Sequence, residues 1–188
     1  MSPALIVLEG SDGSGKTTHA ERLATALSMG ARVARAWHHP PPRTDTSYAQ
    51  RARHFADARR RFLAETVIAH PEVTTWVLDR WVWSSLAALP DELCGAERAD
   101  VIALVARERD ALPAVTTLLL DATHDARLVA RGEVLFDARY AVRHRYWQLA
   151  VRYGWPTVMT DDDADTVSAR LVAHLLRARV LAPPREGA

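Results

Sequence analysis

Ala4-Leu-Ile-Val-Leu-Glu-Gly-Ser-Asp-Gly-Ser-Gly-Lys-Thr-Thr18 is the stretch on which the reading of this chain turns. Ala4–Glu9 is a continuous apolar run, the pattern of a strand buried on both faces. Thr17–Met29 carries apolar residues at helical spacing (Ala20, Leu23, Leu27), and Gly30 makes a good stop. Between them stands Gly10-x-x-x-x-Gly15-Lys16-Thr17, with a strand before it and a helix after it, the context a phosphate-binding loop requires. The glycines let the backbone curl so that successive N–H groups point at phosphate oxygens. The helix N-terminus adds about half a positive charge at the same place. Lys16 supplies a point charge for β- and γ-phosphates, and the Thr17 hydroxyl can join Mg²⁺. Gly10, Ser11, Asp12, Gly13, Ser14, Gly15, Lys16, Thr17 and Thr18 are therefore expected to hold ATP, with Mg²⁺ as its counter-ion. With glycine at about 7% of residues, the bare pattern arises by chance in roughly one chain in a hundred of this length. Its placement between strand and helix makes it the strongest signal in the sequence.

Outward from this unit, apolar runs and helical patterns alternate. Strands are expected at Arg32–Trp37, Thr74–Asp79, Val115–Asp121 and Thr157–Thr160. Helices are expected over Tyr48 to about Ala69, Val82–Leu89, Ala96–Arg109, Asp125–Arg131, Phe136–Tyr153 and Asp165–Val180. Such alternation predicts an α/β P-loop NTPase fold: a five-stranded parallel sheet with helices on both faces. Ligands of these sheets sit at the carboxyl ends of the strands, where Glu9, Trp37, Asp79 and Asp121 fall. The 188 residues fit one domain, 1–188, that buries about 70% of the surface its unfolded form exposes.

Twenty-four basic and 23 acidic residues leave a formal net charge of +1, so no general attraction to nucleic acid or to an acidic membrane is expected. The one cysteine, Cys94, excludes an internal disulfide, fits a reducing compartment and reads as a small, at least half-buried apolar residue. No stretch reaches 18 apolar residues, and the N-terminal run lacks a basic flank, so a cytoplasmic protein is expected.

The segments that carry chemistry resemble, in order and over nearly the whole chain, the thymidylate kinases among nucleoside monophosphate kinases. Leu8-Glu-Gly-Ser-Asp-Gly-Ser-Gly-Lys-Thr-Thr18 is similar to that family's phosphate loop, including Asp12. Phe55-Ala-Asp-Ala-Arg59 resembles its Phe-Ala-Ala-Asp-Arg segment, and Asp79-Arg-Trp-Val-Trp-Ser-Ser-Leu-Ala87 its Asp-Arg-Tyr stretch. Phe136-Asp137 and Arg143-His-Arg-Tyr-Trp-Gln-Leu149 resemble the helix after the lid. The resemblance implies ATP-dependent phosphoryl transfer to a pyrimidine nucleoside monophosphate such as dTMP, in a homodimer. By the same resemblance, Phe55 stacks on the base and Arg59 hydrogen-bonds it; one helical turn separates them, so they share a face. Arg80 holds the acceptor phosphate, as does Arg43 on a looser alignment. Asp79 stands by the Mg²⁺, Asp12 by the acceptor's sugar and Ser84 by the base edge. The lid, about 127–139, offers Arg127, Arg131 and Arg139 to neutralise charge in the transition state, with Arg131 best placed.

Three departures bear on specificity. Ala88 and Leu89 stand where the family has a bulky aromatic and then Gln or Thr. His38-His-Pro-Pro-Pro-Arg43 replaces an Arg-Glu-Pro-Gly-like segment, and Arg131-Gly-Glu-Val-Leu135 makes a short lid. They motivate two alternatives: a relative with a changed acceptor, and a nucleotide-binding module with little turnover. A GTPase is disfavoured because no Asn-Lys-x-Asp base-reading motif is found. His38-His39 reads as a surface loop more readily than as a metal site. Trp76, Trp81 and Trp83 read as core, with Trp83 alone able to reach a base pocket. Asp161-Asp-Asp163 reads as a helix cap.

Overall fold

Alternate residues of the first strand face opposite ways, and both ways are apolar. The computed structural model describes residues 3–28, 33–38, 40, 46–113, 115–123 and 136–178. Strands β1 (Ala4–Glu9), β2 (Ala34–His38), β3 (Thr75–Asp79), β4 (Thr116–Asp121) and β5 (Thr157–Met159) form one sheet in the order β2-β3-β1-β4-β5. Every neighbouring pair is parallel. The helices are α1 (Lys16–Leu27), α2 (Tyr48–Arg61), α3 (Val67–Ala69), α4 (Ser84–Ala87), α5 (Gly95–Ala111), α6 (Phe136–Tyr153) and α7 (Ala164–Arg177). Ile6 and Leu8 pack with Leu23 of α1 and Leu171 of α7 on one face of the sheet. Leu5 and Val7 pack with Phe62, Trp76, Trp81 and Val105 on the other. Burial on both faces fixes the strand's register, because a slip of one residue would exchange its two cores.

The expected five-stranded parallel architecture is the one observed, with shifts at the edges. The second strand lies at Ala34–His38, so His38 and not Trp37 ends it. The long helix expected over 48–69 is broken by a π turn at Phe62–Thr66. There Phe62 is buried against Trp37 (4.6 Å between ring centroids) and, edge-on, Trp76 (5.1 Å). Val82–Leu89 shortens to α4, and the helix expected at 125–131 lies outside the described residues. Asp163 caps α7, accepting from the N–H groups of Asp165 and Thr166 at 3.0 Å each. Cys94 is exposed, not buried: it sits at the N-cap of α5, where the chain enters the helix. Trp76, Trp81 and Trp83 are core residues, but Trp83 turns to Tyr153 and Trp155 (ring centroids 4.4 and 5.8 Å) and lines no ligand cavity described below.

Candidate functional site

Gly10 leaves β1 so close to β4 that a Cβ there would stand 2.2 Å from the Leu120 carbonyl oxygen and 2.7 Å from Ser14 Oγ. Only glycine fits. Gly15, at φ 79°, is the N-cap of α1; it provides no side-chain cap, and the first turn carries no acid. The terminal N–H groups and the positive end of the helix are thus left for an anion. Lys16 is 5% exposed and folds back over the loop, donating from Nζ to the Ser11 carbonyl (2.6 Å) and to Ser14 Oγ (3.4 Å). Burial, and then the charge of Arg80, push its ammonium down to about 7. A phosphate in the loop would reverse that shift, because an opposite charge favours the protonated form.

The register of the sheet sets Asp79 beside Leu8 of β1 and His38 of β2. Thr17 Oγ1 donates to Asp79 Oδ2 at 2.5 Å, while Asp79 Oδ1 is buried with no hydrogen-bond partner. A carboxylate with one oxygen on the loop hydroxyl and the other open suits a hard divalent cation shared with phosphates, as Mg²⁺ is usually bound. Thr17 and Asp79 would hold it. His38 was expected in a surface loop; instead it is half-buried, with Nδ1 3.5 Å from Asp79 Oδ2 and Nε2 3.5 Å from Glu21 Oε1. His39 lies outside the described residues. Asp121, the other strand-end aspartate, is committed to Arg143 (2.7 and 2.6 Å) and to the Trp147 indole (3.0 Å).

Arg80 follows β3 at φ 73°, a left-handed conformation that a non-glycine residue rarely adopts and that marks strain at functional positions. The bend turns its guanidinium toward the phosphate loop. Nη1 donates to the Gly10 carbonyl (3.2 Å) and to Tyr146 Oη (2.8 Å), and Nη2 pairs with Asp12. Burial alone would lower its pKa; Tyr146, Asp12, Glu9 and Asp79 outweigh that and raise it. Glu9 lies wholly buried behind Arg80, accepting from the Trp81 N–H (2.8 Å) and from Ser84 Oγ (2.6 Å). Burial raises its pKa, and the Ser84 hydrogen bond and the Arg80 charge oppose the rise. Tyr146 is buried with its hydroxyl 2.9 Å from Ser84 Oγ, and burial pushes its pKa up. Sequence reasoning gave neither Glu9 nor Tyr146 a role in the site. An acid closing an apolar strand was the available signal for Glu9; none pointed to Tyr146.

Asp12, Phe55, Arg59, Arg80 and Ser84, all expected around an acceptor, line one cavity of about 540 Å³, together with Asp79 and Ala88. The stripe on α2 is aimed by a capping box: Ser47 Oγ accepts from the Gln50 N–H, and Gln50 Oε1 from the Ser47 N–H. The same stripe brings in Tyr48 and Arg51, which the sequence did not flag. Arg59 is less free than its spacing from Phe55 suggests. It is 1% exposed, with Nε on Glu108 Oε1 (3.1 Å), Nη2 on Glu108 Oε2, and Nη1 3.4 Å from the Trp81 carbonyl. Thr18 is exposed on the first turn of α1. Arg43, Arg127 and Arg131 lie outside the described residues, as does the side chain of Arg139.

No protein-family model and no curated protein matches this chain. Solved structures do. A thymidylate kinase from Ehrlichia chaffeensis superposes with a TM-score of 0.68 at 18% identity, over 93% of this chain and 100% of its own. A thymidylate kinase from Candida albicans, described as having broad substrate specificity, gives 0.69 at 17%, over 95% and 93%. Among the described residues no helix is long and apolar enough to cross a membrane. The chain has the fold of the thymidylate kinases.

Proposed function

We propose that this protein is a nucleoside monophosphate kinase that transfers the γ-phosphoryl group of ATP to a pyrimidine nucleoside monophosphate, dTMP or a close relative. The observation that carries the reading is the double attachment of Arg80. Its guanidinium bonds to Gly10 and Asp12 of the phosphate loop and also lines the cavity that holds Phe55. A donor phosphate on the loop and an acceptor in the cavity would therefore meet at one cation, as direct transfer between two bound nucleotides requires.

In this mechanism an acceptor phosphate oxygen bonds to the γ-phosphorus, the bond from that phosphorus to the β–γ bridging oxygen breaks, and ADP leaves. Lys16 and the α1 N-terminus stabilise the charge on the donor phosphates. Thr17 and Asp79 would hold Mg²⁺, which when bound neutralises charge on the phosphate oxygens. Arg80 orients the acceptor phosphate with a fork of donors. Phe55 offers a face for the base and Arg59 closes its edge. The segment 127–139 supplies the further cation, Arg131 first. Assembly as a homodimer and a single domain over 1–188 belong to the same reading.

A second acceptor class is favoured by one feature, Ala88 on the cavity wall, which leaves room for a substituted sugar or base. The test is a panel of nucleoside monophosphates with ATP and Mg²⁺, following ADP release. Pyrimidine monophosphates are expected to turn over fastest. ADP release that no monophosphate accelerates would reject the kinase reading and favour a nucleotide-binding module.

A further inference from the structure

The cavity is lined by three arginines, and their charges are not equivalent. The guanidinium of Arg59 is met by both oxygens of Glu108, and that of Arg80 by Asp12 with Glu9 buried behind it. Asp79 adds a carboxylate whose Oδ1 has no partner. Arg51 differs: among the described residues its guanidinium has neither a hydrogen bond nor an ion pair, while its backbone N–H is engaged on the Ser47 carbonyl (3.0 Å). Its guanidinium carbon lies 5.6 Å from the centroid of the Tyr48 ring. That ring is itself fixed, because Tyr48 Oη donates to the Ser85 carbonyl at 2.9 Å. Burial pushes the Tyr48 phenol up to about 12, so the platform is uncharged at working pH. A cation held over an aromatic face keeps its position without surrendering its N–H donors.

The charge balance gives this cation a task. With Arg59 paired to Glu108 and Arg80 to Asp12, a cavity without Arg51 would keep the carboxylate of Asp79 on its wall and no arginine without an acidic partner. A phosphate ester entering it would then gain less from the wall. With Arg51 the wall offers a partly dehydrated guanidinium whose donors are all available, the group that suits a phosphate oxygen pair.

We propose that Arg51 is a substrate-binding residue that takes the acceptor's phosphate from the α2 side of the cavity, with Tyr48 as its positioning residue. The assignment rests on the reading of the cavity as the acceptor site. It adds an arginine of α2 to Arg80, and to the Arg43 that the resemblance implies, in the recognition of the anionic part of the acceptor.

Equilibrium titration of the purified full chain separates the alternatives. Wild type, Arg51→Gln and Arg51→Lys are titrated with dTMP, with thymidine and with ATP·Mg²⁺. In Arg51→Gln, dTMP binding is expected to weaken about tenfold to a hundredfold, the range of a lost hydrogen-bonded charge contact. Thymidine and ATP should bind as in wild type, and Arg51→Lys should recover part of the loss. Unchanged dTMP binding in a folded Arg51→Gln would overturn the proposal. So would equal losses for dTMP and thymidine, which would place Arg51 on the base or sugar. If the glutamine variant misfolds, Arg51→Met gives the same comparison. Should another monophosphate prove the preferred acceptor, it and its nucleoside replace dTMP and thymidine. A wild type that binds no nucleoside monophosphate would remove the acceptor site itself, a failure distinct from an Arg51 that binds nothing in a working kinase.

Discussion

The glycine-rich loop and the cavity proposed for the acceptor meet at Asp79 and Arg80, and they are built in opposite ways. The loop is nine consecutive residues, Gly10 to Thr18, whose shape follows from backbone rules: a glycine that admits β4 at Gly10, and a left-handed cap at Gly15. The cavity is assembled from α2, the end of β3 and α4, backed by a buried layer of Glu9, Glu108 and Tyr146. A contiguous site stands or falls with a few residues. An assembled site depends on the pairs that hold its walls, so the two should respond differently to mutation.

The largest effect is expected behind the cavity. Glu108→Ala leaves Arg59 charged and buried without its partner, and breaking such a pair costs about 3–5 kcal/mol of stability. Urea unfolding would measure it. ATP affinity of the molecules that remain folded should be unchanged, because the loop lies on the other side of Arg80. A loss below 1 kcal/mol would mean that Arg59 finds another partner or water, and that the wall is not held as described.

On the loop side, Lys16→Ala should keep the fold and lower phosphoryl transfer by roughly a hundredfold or more, the loss expected for one preorganised charge at the transferring group. A pH signature accompanies it. Unfolded, the lysine keeps its proton up to its ordinary value of 10.5; folded and without anion, it releases it at about 7. Between these values the unfolded state binds more protons, so stability should rise with pH from about 7 toward 10.5. Lys16→Ala should remove that part of the rise, and saturating ATP should flatten it in wild type. A folded mutant with near-wild-type turnover would remove Lys16 from the chemistry.

Arg80 joins the two regions and should show both behaviours. Replacing it by alanine or by glycine removes the same guanidinium, so acceptor binding and turnover should fall together in both, with ATP affinity little changed. Stability should differ between them. At φ 73° a side chain carries a left-handed penalty of about 1–2 kcal/mol that glycine avoids, so Arg80→Gly should be the more stable by about 1 kcal/mol. Equal stabilities would show that the bend relaxes once the side chain is gone.

The same contrast explains what was legible in the sequence. The five parallel strands, the loop and the face shared by Phe55 and Arg59 follow from local periodicity and spacing, and they could be read before any coordinates. Arg59's commitment to Glu108, 49 positions away, could not, because no local pattern couples an acid on α5 to an arginine on α2. Glu9 looked like a strand end; its burial appears only when Trp81 and Ser84 fold over it. His38 was misplaced because the second strand runs one residue further than its apolar pattern, which carries the histidine to Asp79. The exposure of Cys94 reflects a turn into α5 that its residue type does not encode.

The smallest expected effect concerns the cavity wall at Ala88, which follows α4 and is exposed on the cavity. The resemblance to thymidylate kinases places a bulky aromatic here, in the region of the acceptor's sugar. Trp83 was the neighbour best able to fill the vacated space, yet it is buried against Tyr153 and Trp155 on the core side. The space beside Ala88 is bounded by the smaller Ser84 and Ser85 and by the α2 stripe. Discrimination against a 2′-hydroxyl should therefore be weak in the wild type. A difference in fit within an apolar pocket is worth only about 1–3 kcal/mol, so Ala88→Tyr should shift a preference without creating an absolute one. Comparing kcat/KM for dTMP, dUMP and UMP in both proteins tests this: the tyrosine should lower the rate with UMP relative to dUMP. Because Ala88 is exposed, stability should stay within about 0.5 kcal/mol of wild type, so a change in the ratio would report on the pocket and not on folding. An unchanged UMP to dUMP ratio would mean that Ala88 does not line the sugar site.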